Sequence, residues 1–276
     1  MTFKILLRKI VPKVLIDLKS IIKENLYWKK RGRIIRKKII ESYSEKSSVD
    51  ISDEEIEVIT YLKRNPISLL PYTFPKKYKE SNIKVFYDTD NGFKYTLYEG
   101  KRLYFKKKWD VKKIKKYYNY LLVEQDVESP HRYLLGNFDI RMNDNIVDAG
   151  AAEGIFTLMN IDKIGHAVLF EPDLEWIEAL KLTFKNYPEK VVIVEKYLGS
   201  VISNNETTID NYFQQTTKID FIKVDVEGFE LDVLKGAKNR IRNADNFLRI
   251  AICTYHKQGD EMILKDYLEQ LNFLCE

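Results

Sequence analysis

Over residues 3–28, apolar side chains recur every three or four positions: Phe3, Leu7, Ile10, Val14, Leu18 and Ile21, with Leu6, Val11, Leu15 and Ile22 widening the stripe. That spacing predicts an amphipathic helix, which Pro12 should kink or delay. A second, basic helix is expected over 29–42, and a helix with an acidic start over 51–64. Pro66, Pro71 and Pro75 mark an extended connection. The stretch "IKVFYDTDNGFKYTLYEGKRLYF" (83–105) then reads as a three-stranded meander, with turns at Asp90-Asn91-Gly92 and Glu99-Gly100. Residues 110–124 form a helix with lysines on one side and Tyr117, Tyr118, Leu121 and Leu122 available for packing.

From residue 145 the pattern changes to short apolar runs alternating with helices. Strands are expected at 145–149, 166–171, 190–195, 219–226 and 247–253, and helices at 154–161, 173–186, 230–241 and 259–271. Strands spaced by helices predict a parallel sheet covered on both faces. Such sheets bind ligands beyond the carboxyl ends of their strands. Three regions are therefore expected: a basic helical extension over 1–50, an accessory region with the meander over 51–125, and an α/β domain over 126–276.

Composition narrows the class. The chain has 276 residues, 45% apolar, enough for a sizeable core. It has no run of about 18 apolar residues that would cross a membrane and no visible secretory signal. Its two cysteines, Cys253 and Cys275, make no disulfide framework, so a cytoplasmic setting is expected. The net charge of +5 is unevenly spread: residues 1–46 hold 14 Lys/Arg against 4 Asp/Glu, and the remainder holds 32 against 37. A packed helical appendage accounts for such a segment. So does a helix lying on the anionic inner face of a membrane or docking a membrane-bound partner. Nucleic-acid binding is the weaker option, because no base-reading motif accompanies the charge.

The first strand ends in "VDAGAAEGIF" (147–156). Glycines at a strand-to-helix turn let the backbone approach a ligand closely. A dinucleotide needs G-x-G-x-x-G and a helix end that welcomes phosphate. Here the turn is Gly150-Ala151-Ala152-Glu153-Gly154, with Asp148 just before it, so both spacing and charge are wrong for a diphosphate. S-adenosylmethionine carries a sulfonium and an ammonium group and no phosphate, and acidic neighbours suit it. Glu171, ending the second strand in "AVLFEPD", is placed to accept both ribose hydroxyls, or else to cap a helix. Tyr197, after the third strand, could stack on adenine or simply lie on the surface.

The fourth strand, "IDFIKVDVEGFELDVLKGA" (219–237), crowds Asp225, Glu227 and Glu230 at its carboxyl end, with Lys223 as a local counter-charge. Carboxylates there are costly unless hydrogen-bonded, metal-bound or functional. Glu230 equally suits the first turn of the next helix. His256, in "ICTYHKQGD" after the fifth strand, is a candidate general base. His131, in "ESPHRYLL", could cap the same pocket, whereas His166 begins the second strand at the opposite edge.

"VDAGAAEGIF", "FEPD", "TTIDNYF" and "IDFIKVDVEGFELDVLKGA" resemble the FkbM-type methyltransferases, a branch of the class I S-adenosylmethionine-dependent enzymes, over about residues 120–270. "EQDVESPHRYLL" and "YHKQGD" resemble segments of members tied to surface-polysaccharide pathways. The resemblance implies a Rossmann-like sheet of order 3-2-1-4-5-7-6 and methyl transfer to oxygen, often on a sugar. It implies donor positions at Asp148, Gly150, Glu153, Gly154 and Glu171, with Asp225 and Glu227 facing the reacting centre. Ala152 stands where many relatives have glycine. The sequence ends at "LNFLCE", so a sheet of order 3-2-1-4-5 with an incomplete last strand pair is expected.

The expected reaction is O-methylation of a sugar hydroxyl on a surface glycan or its precursor. His256 or Asp225 would act as base, Glu227 would orient the base or the acceptor, and His131 would meet the acceptor. A divalent cation is compatible with these carboxylates but not demanded. A nucleic-acid or protein methyltransferase using the basic N-terminus, and a non-catalytic donor-binding adaptor, are the alternatives.

Overall fold

A computed structural model describes residues 18–44, 51–213, 217–244 and 248–275, with side chains from residue 29 onward. The described residues up to Tyr78 form one compact unit, and those from Lys79 form a second.

The first unit holds helix α1 (Leu18–Ser44) and helix α2 (Asp53–Arg64). Separate helices are expected over 3–28 and 29–42, with a boundary near residue 29. In the structure α1 runs unbroken through that point, because no proline interrupts it there and Gly32 is tolerated within a helix. Gly32 also lies close to Ile67, where a β-carbon would come within 2.9 Å of Cγ2. The stripe expected over residues 3–17 lies outside the described residues. Helix α2 begins with a capping box: the Ser52 side chain accepts from the Glu55 amide and Glu55 accepts in return from the Ser52 amide. Val58, Ile59 and Leu62 form its buried face.

The second unit opens with the meander: β1 (Phe86–Asp88), β2 (Phe93–Tyr98) and β3 (Lys101–Tyr104), paired antiparallel in sequence order. Helix α3 (Val111–Glu124) follows, capped by the Asp110 side chain on the Lys113 amide. The meander was expected in an accessory region of its own. Instead Phe93, Leu103, Tyr104 and Phe105 share one hydrophobic core with Ile146, Leu169 and Phe221 of the central sheet.

That sheet is built from β4 (Asn145–Ala149), β5 (His166–Phe170), β6 (Val191–Val194), β9 (Phe221–Val224) and β10 (Arg249–Ile252). A short parallel pair, β7 (Tyr197–Leu198) with β8 (Glu206–Thr207), lies between β6 and β9 in sequence. Every pairing in the five-stranded sheet is parallel and its order is β10-β9-β4-β5-β6, which is 3-2-1-4-5 in chain order. Alternation along the strands loads both faces. Ile146, Ala167, Leu169 and Phe221 pack with α4 (Ile155–Met159) and α5 (Leu174–Thr183). Val147, Val168, Phe170, Ile222 and Val224 pack with α6 (Ile209–Tyr212), α7 (Glu230–Gly236), α8 (Lys238–Arg242) and α9 (Asp260–Glu269). A helix expected over 230–241 is thus two short ones meeting at Ala237.

Among the described residues, β10 pairs only with β9. Residues 272–275 add no strand. Asn272 takes a left-handed φ of 64° and the Phe273 amide returns to the Leu268 carbonyl, capping α9.

Candidate active site

The crossover order places the sheet's reversal between β4 and β9, and the chemistry-bearing residues gather beyond their carboxyl ends. The two turn glycines approach protein, not open space. Gly150 has φ +75°, and a β-carbon there would fall 2.0 Å from the Asp225 carbonyl oxygen. Gly154 has φ +82°, and a β-carbon would fall 2.7 Å from Leu180 Cδ2 and Phe184 Cε2. The first glycine therefore lets β4 close against the chain leaving β9, and the second lets α4 pack on α5.

The turn is pinned from three sides. The Ala151 amide donates to the Phe170 carbonyl, and the Ala152 amide to Glu171 Oε2 at 2.8 Å. Glu171 Oε1 accepts the Asp173 amide at 2.9 Å, and burial pushes the Glu171 pKa up. Both readings of Glu171 thus have structural content: it braces the turn, and each oxygen keeps a lone pair for a further donor. Lys223 Nζ donates to the Gly150 carbonyl at 2.6 Å and lies 3.1 Å from Asp148 Oδ1. Asp148 is fully buried, with Thr157 Oγ1 donating to Oδ2 at 2.8 Å. Burial works against the Lys223 charge, yet the Asp148 and Asp225 carboxylates outweigh it and raise its pKa. Glu153 is also buried and accepts from the Tyr117 hydroxyl at 2.7 Å. Burial raises the Glu153 pKa and the Tyr117 pKa as well.

Beyond β9, the three clustered carboxylates separate by environment. Asp225 Oδ2 accepts from the Tyr133 hydroxyl at 2.6 Å. Glu227, with a left-handed φ of 53°, leaves its side chain 90% exposed. Glu230 is buried, and its Oε1 accepts the Val226 and Gly228 amides at 3.2 and 3.1 Å. His256 reaches all three: Nδ1 lies 2.7 Å from Glu230 Oε1, and Nε2 lies 3.5 Å from both Asp225 Oδ1 and Glu227 Oε2. The residue against Nδ1 is Glu230, not Glu227. Burial opposes the imidazolium, but the bond to Glu230 and the charges of Glu230, Asp225 and Glu227 raise the His256 pKa overall.

Around this centre the rings continue. Tyr255 lies 4.6 Å from the His256 ring and 5.1 Å from the His131 ring, so His131 does join the cluster through Tyr255. Tyr197 is exposed at the start of β7, and His166 sits at the amino end of β5, away from the site. Glu124, the last residue of α3, is pushed up to about 8 by burial and by the nearby Asp225 and Glu153. Tyr117, Glu124 and Tyr133 had no signal in the sequence beyond packing, because their partners lie up to 92 positions away.

Asp225, Glu230 and His256 each offer one metal-ligand atom, all within 4.8 Å. Glu230 Oε1 already takes two amides, whereas His256 Nε2 and Asp225 Oδ1 face each other at 3.5 Å.

The segment carrying Asp225, Glu227, Glu230 and His256 also decides the comparison with known proteins. Residues 194–275 match the FkbM methyltransferase domain. That domain covers everything from the end of β6 to Cys275, and the glycine turn precedes it. No curated protein matches the chain. Among solved structures, similarity extends to precorrin-6y C5,15-methyltransferase from Geobacter metallireducens, at 12% identity over 49% of this chain and 66% of that one, with a TM-score of 0.38. It extends also to the N-terminal domain of human METTL16 in complex with SAH, at 18% identity over 56% and 60%, TM-score 0.33. A third is a TehB-like SAM-dependent methyltransferase from Corynebacterium glutamicum, at 20% identity over 48% and 64%, TM-score 0.28. This chain thus spans less than two thirds of each of these chains. No described helix is long and apolar enough to cross a membrane.

Proposed function

We propose that this chain transfers a methyl group from S-adenosylmethionine to a hydroxyl oxygen, with a sugar of a surface glycan or glycan precursor as acceptor. The observation that carries the reading is the FkbM domain match over the residues that converge on His256. The charge of the site supports this donor. Glu153, Glu171, Asp225 and Glu227 outnumber Lys223, whose charge is already matched by buried Asp148. A cationic nucleoside fits that field and a diphosphate does not.

The donor supplies an activated methyl carbon on sulfur. The chain's part is to hold the acceptor oxygen in line with it, worth about 7–11 kcal/mol when the alignment is good. His256 Nε2, facing Asp225 and Glu227, takes the hydroxyl proton as the oxygen–carbon bond forms, typically contributing about 10²–10⁴-fold. His256→Ala and Asp225→Asn should therefore lower turnover by that order, far more than they weaken donor binding. Parent-like turnover in both variants would move the base elsewhere, with His131 the next residue to test.

Donor binding is tested first. Titration calorimetry should show heat with S-adenosylmethionine and none with NAD. Glu171→Gln keeps an oxygen for the Ala152 amide but removes the charge, and should weaken the donor by about 1.5–3 kcal/mol. NAD binding without donor binding would sink the proposal. Labelled-methyl transfer into cell extract then identifies the acceptor: label in glycan supports the sugar reading, and label in RNA or protein replaces it.

A further inference from the structure

Glu230 sits in the first turn of α7, where an acidic residue needs no explanation beyond the helix dipole. Its surroundings ask for more. The carboxylate is turned back from the helix into the loop, where one oxygen accepts the Val226 and Gly228 amides at 3.2 and 3.1 Å and lies 2.7 Å from His256 Nδ1, off the line of a direct hydrogen bond. Residue exposure is only 2%, so the two amides replace water at that atom. Gly228 reaches it with φ +100°, a backbone conformation that L side chains rarely adopt. Burying a carboxylate in that way fixes it and makes it an anchor.

The consequence falls on the imidazole. A carboxylate at Nδ1 keeps the proton there, so the neutral ring presents a lone pair at Nε2. The same nitrogen faces Asp225 Oδ1 and Glu227 Oε2 at 3.5 Å each, too far for direct hydrogen bonds. A lone pair among carboxylate oxygens is met by something that brings a proton, and the acceptor hydroxyl of the proposed reaction does so.

We infer that Glu230 is a positioning residue, which holds His256 in the Nδ1–H form and aims Nε2 at the acceptor hydroxyl. This rests on the methyl-transfer reading above. In the step itself the O–H bond breaks and its proton goes to Nε2. The oxygen forms a bond to the methyl carbon, and the carbon–sulfur pair returns to sulfur, leaving a neutral thioether. Glu230 touches neither the acceptor nor the donor; it acts through the ring. The groups facing that ring are Glu230 from α7, Asp225 and Glu227 from the loop after β9, and Tyr255 and Lys257 beside it in sequence. His131 adds to these through Tyr255, and Tyr133 through Asp225.

Nitrogen NMR of the imidazoles in the full chain tests this without a substrate, and the chain has only three histidines to assign. In the parent, His256 should show Nδ1 protonated and Nε2 bare above its titration midpoint. Glu230→Gln keeps an oxygen for both amides, so the fold and the Nδ1–H form should persist while the midpoint falls. Glu230→Ala should release the ring toward the Nε2–H form favoured in water. Methyl transfer in both variants should drop by on the order of 10–100-fold, a share of what a placed base contributes. The acid limb of the pH profile should move with the NMR midpoint, at unchanged KM for the donor. An Nε2–H ring in the parent, or one that Glu230→Ala leaves unchanged, overturns the inference. A parent with the Nδ1–H ring but no methyl transfer overturns the functional reading instead, and leaves the role of Glu230 in orienting the ring standing.

Discussion

Replacing Lys223 by Met should destabilise the protein by about 3–5 kcal/mol, the largest effect expected of any single change in the sheet. Lys223 and Asp148 are register partners on β9 and β4, with side chains 6% and 0% exposed and Nζ 3.1 Å from Oδ1. Methionine fills similar space but leaves Asp148 as a buried charge, held only by Thr157 Oγ1. It also frees the Gly150 carbonyl, now held by Nζ at 2.6 Å. Because that carbonyl lies in the turn braced by Glu171, donor affinity should fall with stability. In urea unfolding the midpoint should drop, and on heating Tm should fall by on the order of 10 °C. Adding Asp148→Asn removes the stranded charge and should recover most of the loss. A Lys223→Met protein within about 1 kcal/mol of the parent would show that the pair does not hold the turn.

The sheet was legible in the sequence because its three central strands are buried on both faces and its edge strands partly so, and each reads as a short apolar run between helical spacings. Strand order followed from the resemblance, and the pairing of β4 with both β5 and β9 agrees with it. Caps are local devices as well, since Ser52 with Glu55, and Asp110 ahead of α3, satisfy amide groups within a few residues, but they were not read from the sequence. The site was legible only in part. Asp225 and His256 stood out because a carboxylate and an imidazole at strand ends have few structural uses. Gly150 and Gly154 stood out as turn glycines, but a sequence does not show which protein atoms crowd them. Glu230 was ambiguous for the same cause, since its helix position already explained it. Tyr117, Glu124 and Tyr133 were invisible as site residues, because only the packing of α3 and the 126–144 segment on the sheet brings them to Glu153 and Asp225. The boundary expected near residue 29 was also absent, because no proline or other breaker interrupts the backbone ladder there.

The second large effect concerns Glu124. Burial, reinforced by Asp225 and Glu153, raises its pKa from 4.5 to about 8. A carboxyl whose folded pKa is raised binds its proton more tightly folded than unfolded. Its contribution is complete below pH 4.5, declines as pH rises, and is lost once pH passes about 8. The window therefore slopes downward through neutrality, opposite in sign to that of Glu230, Asp139 and Asp173, whose lowered values favour the folded state above the ordinary carboxylate range. Across its window Glu124 should cost roughly 2–5 kcal/mol, since each tenfold gain in proton affinity on folding is worth about 1.4 kcal/mol. Glu124→Gln mimics the protonated form, so it should match the parent at the acid end and exceed it increasingly toward pH 8. Glu153 is raised by burial as well, and the two share one acidic cluster with Asp225. The proton thus belongs to the cluster, and a residual slope in Glu124→Gln should disappear in the double variant with Glu153→Gln. Urea unfolding of the three proteins from pH 5 to about 9 reads this directly. Parallel stability curves for parent and Glu124→Gln would mean that Glu124 is ionised at neutrality and that water reaches it. The same cluster gives the test a functional edge, because a cationic ligand entering it would favour ionised carboxylates. S-adenosylmethionine binding by the parent should then release protons near pH 7, seen as a dependence of the calorimetric heat on buffer ionisation enthalpy, and the release should shrink in Glu124→Gln.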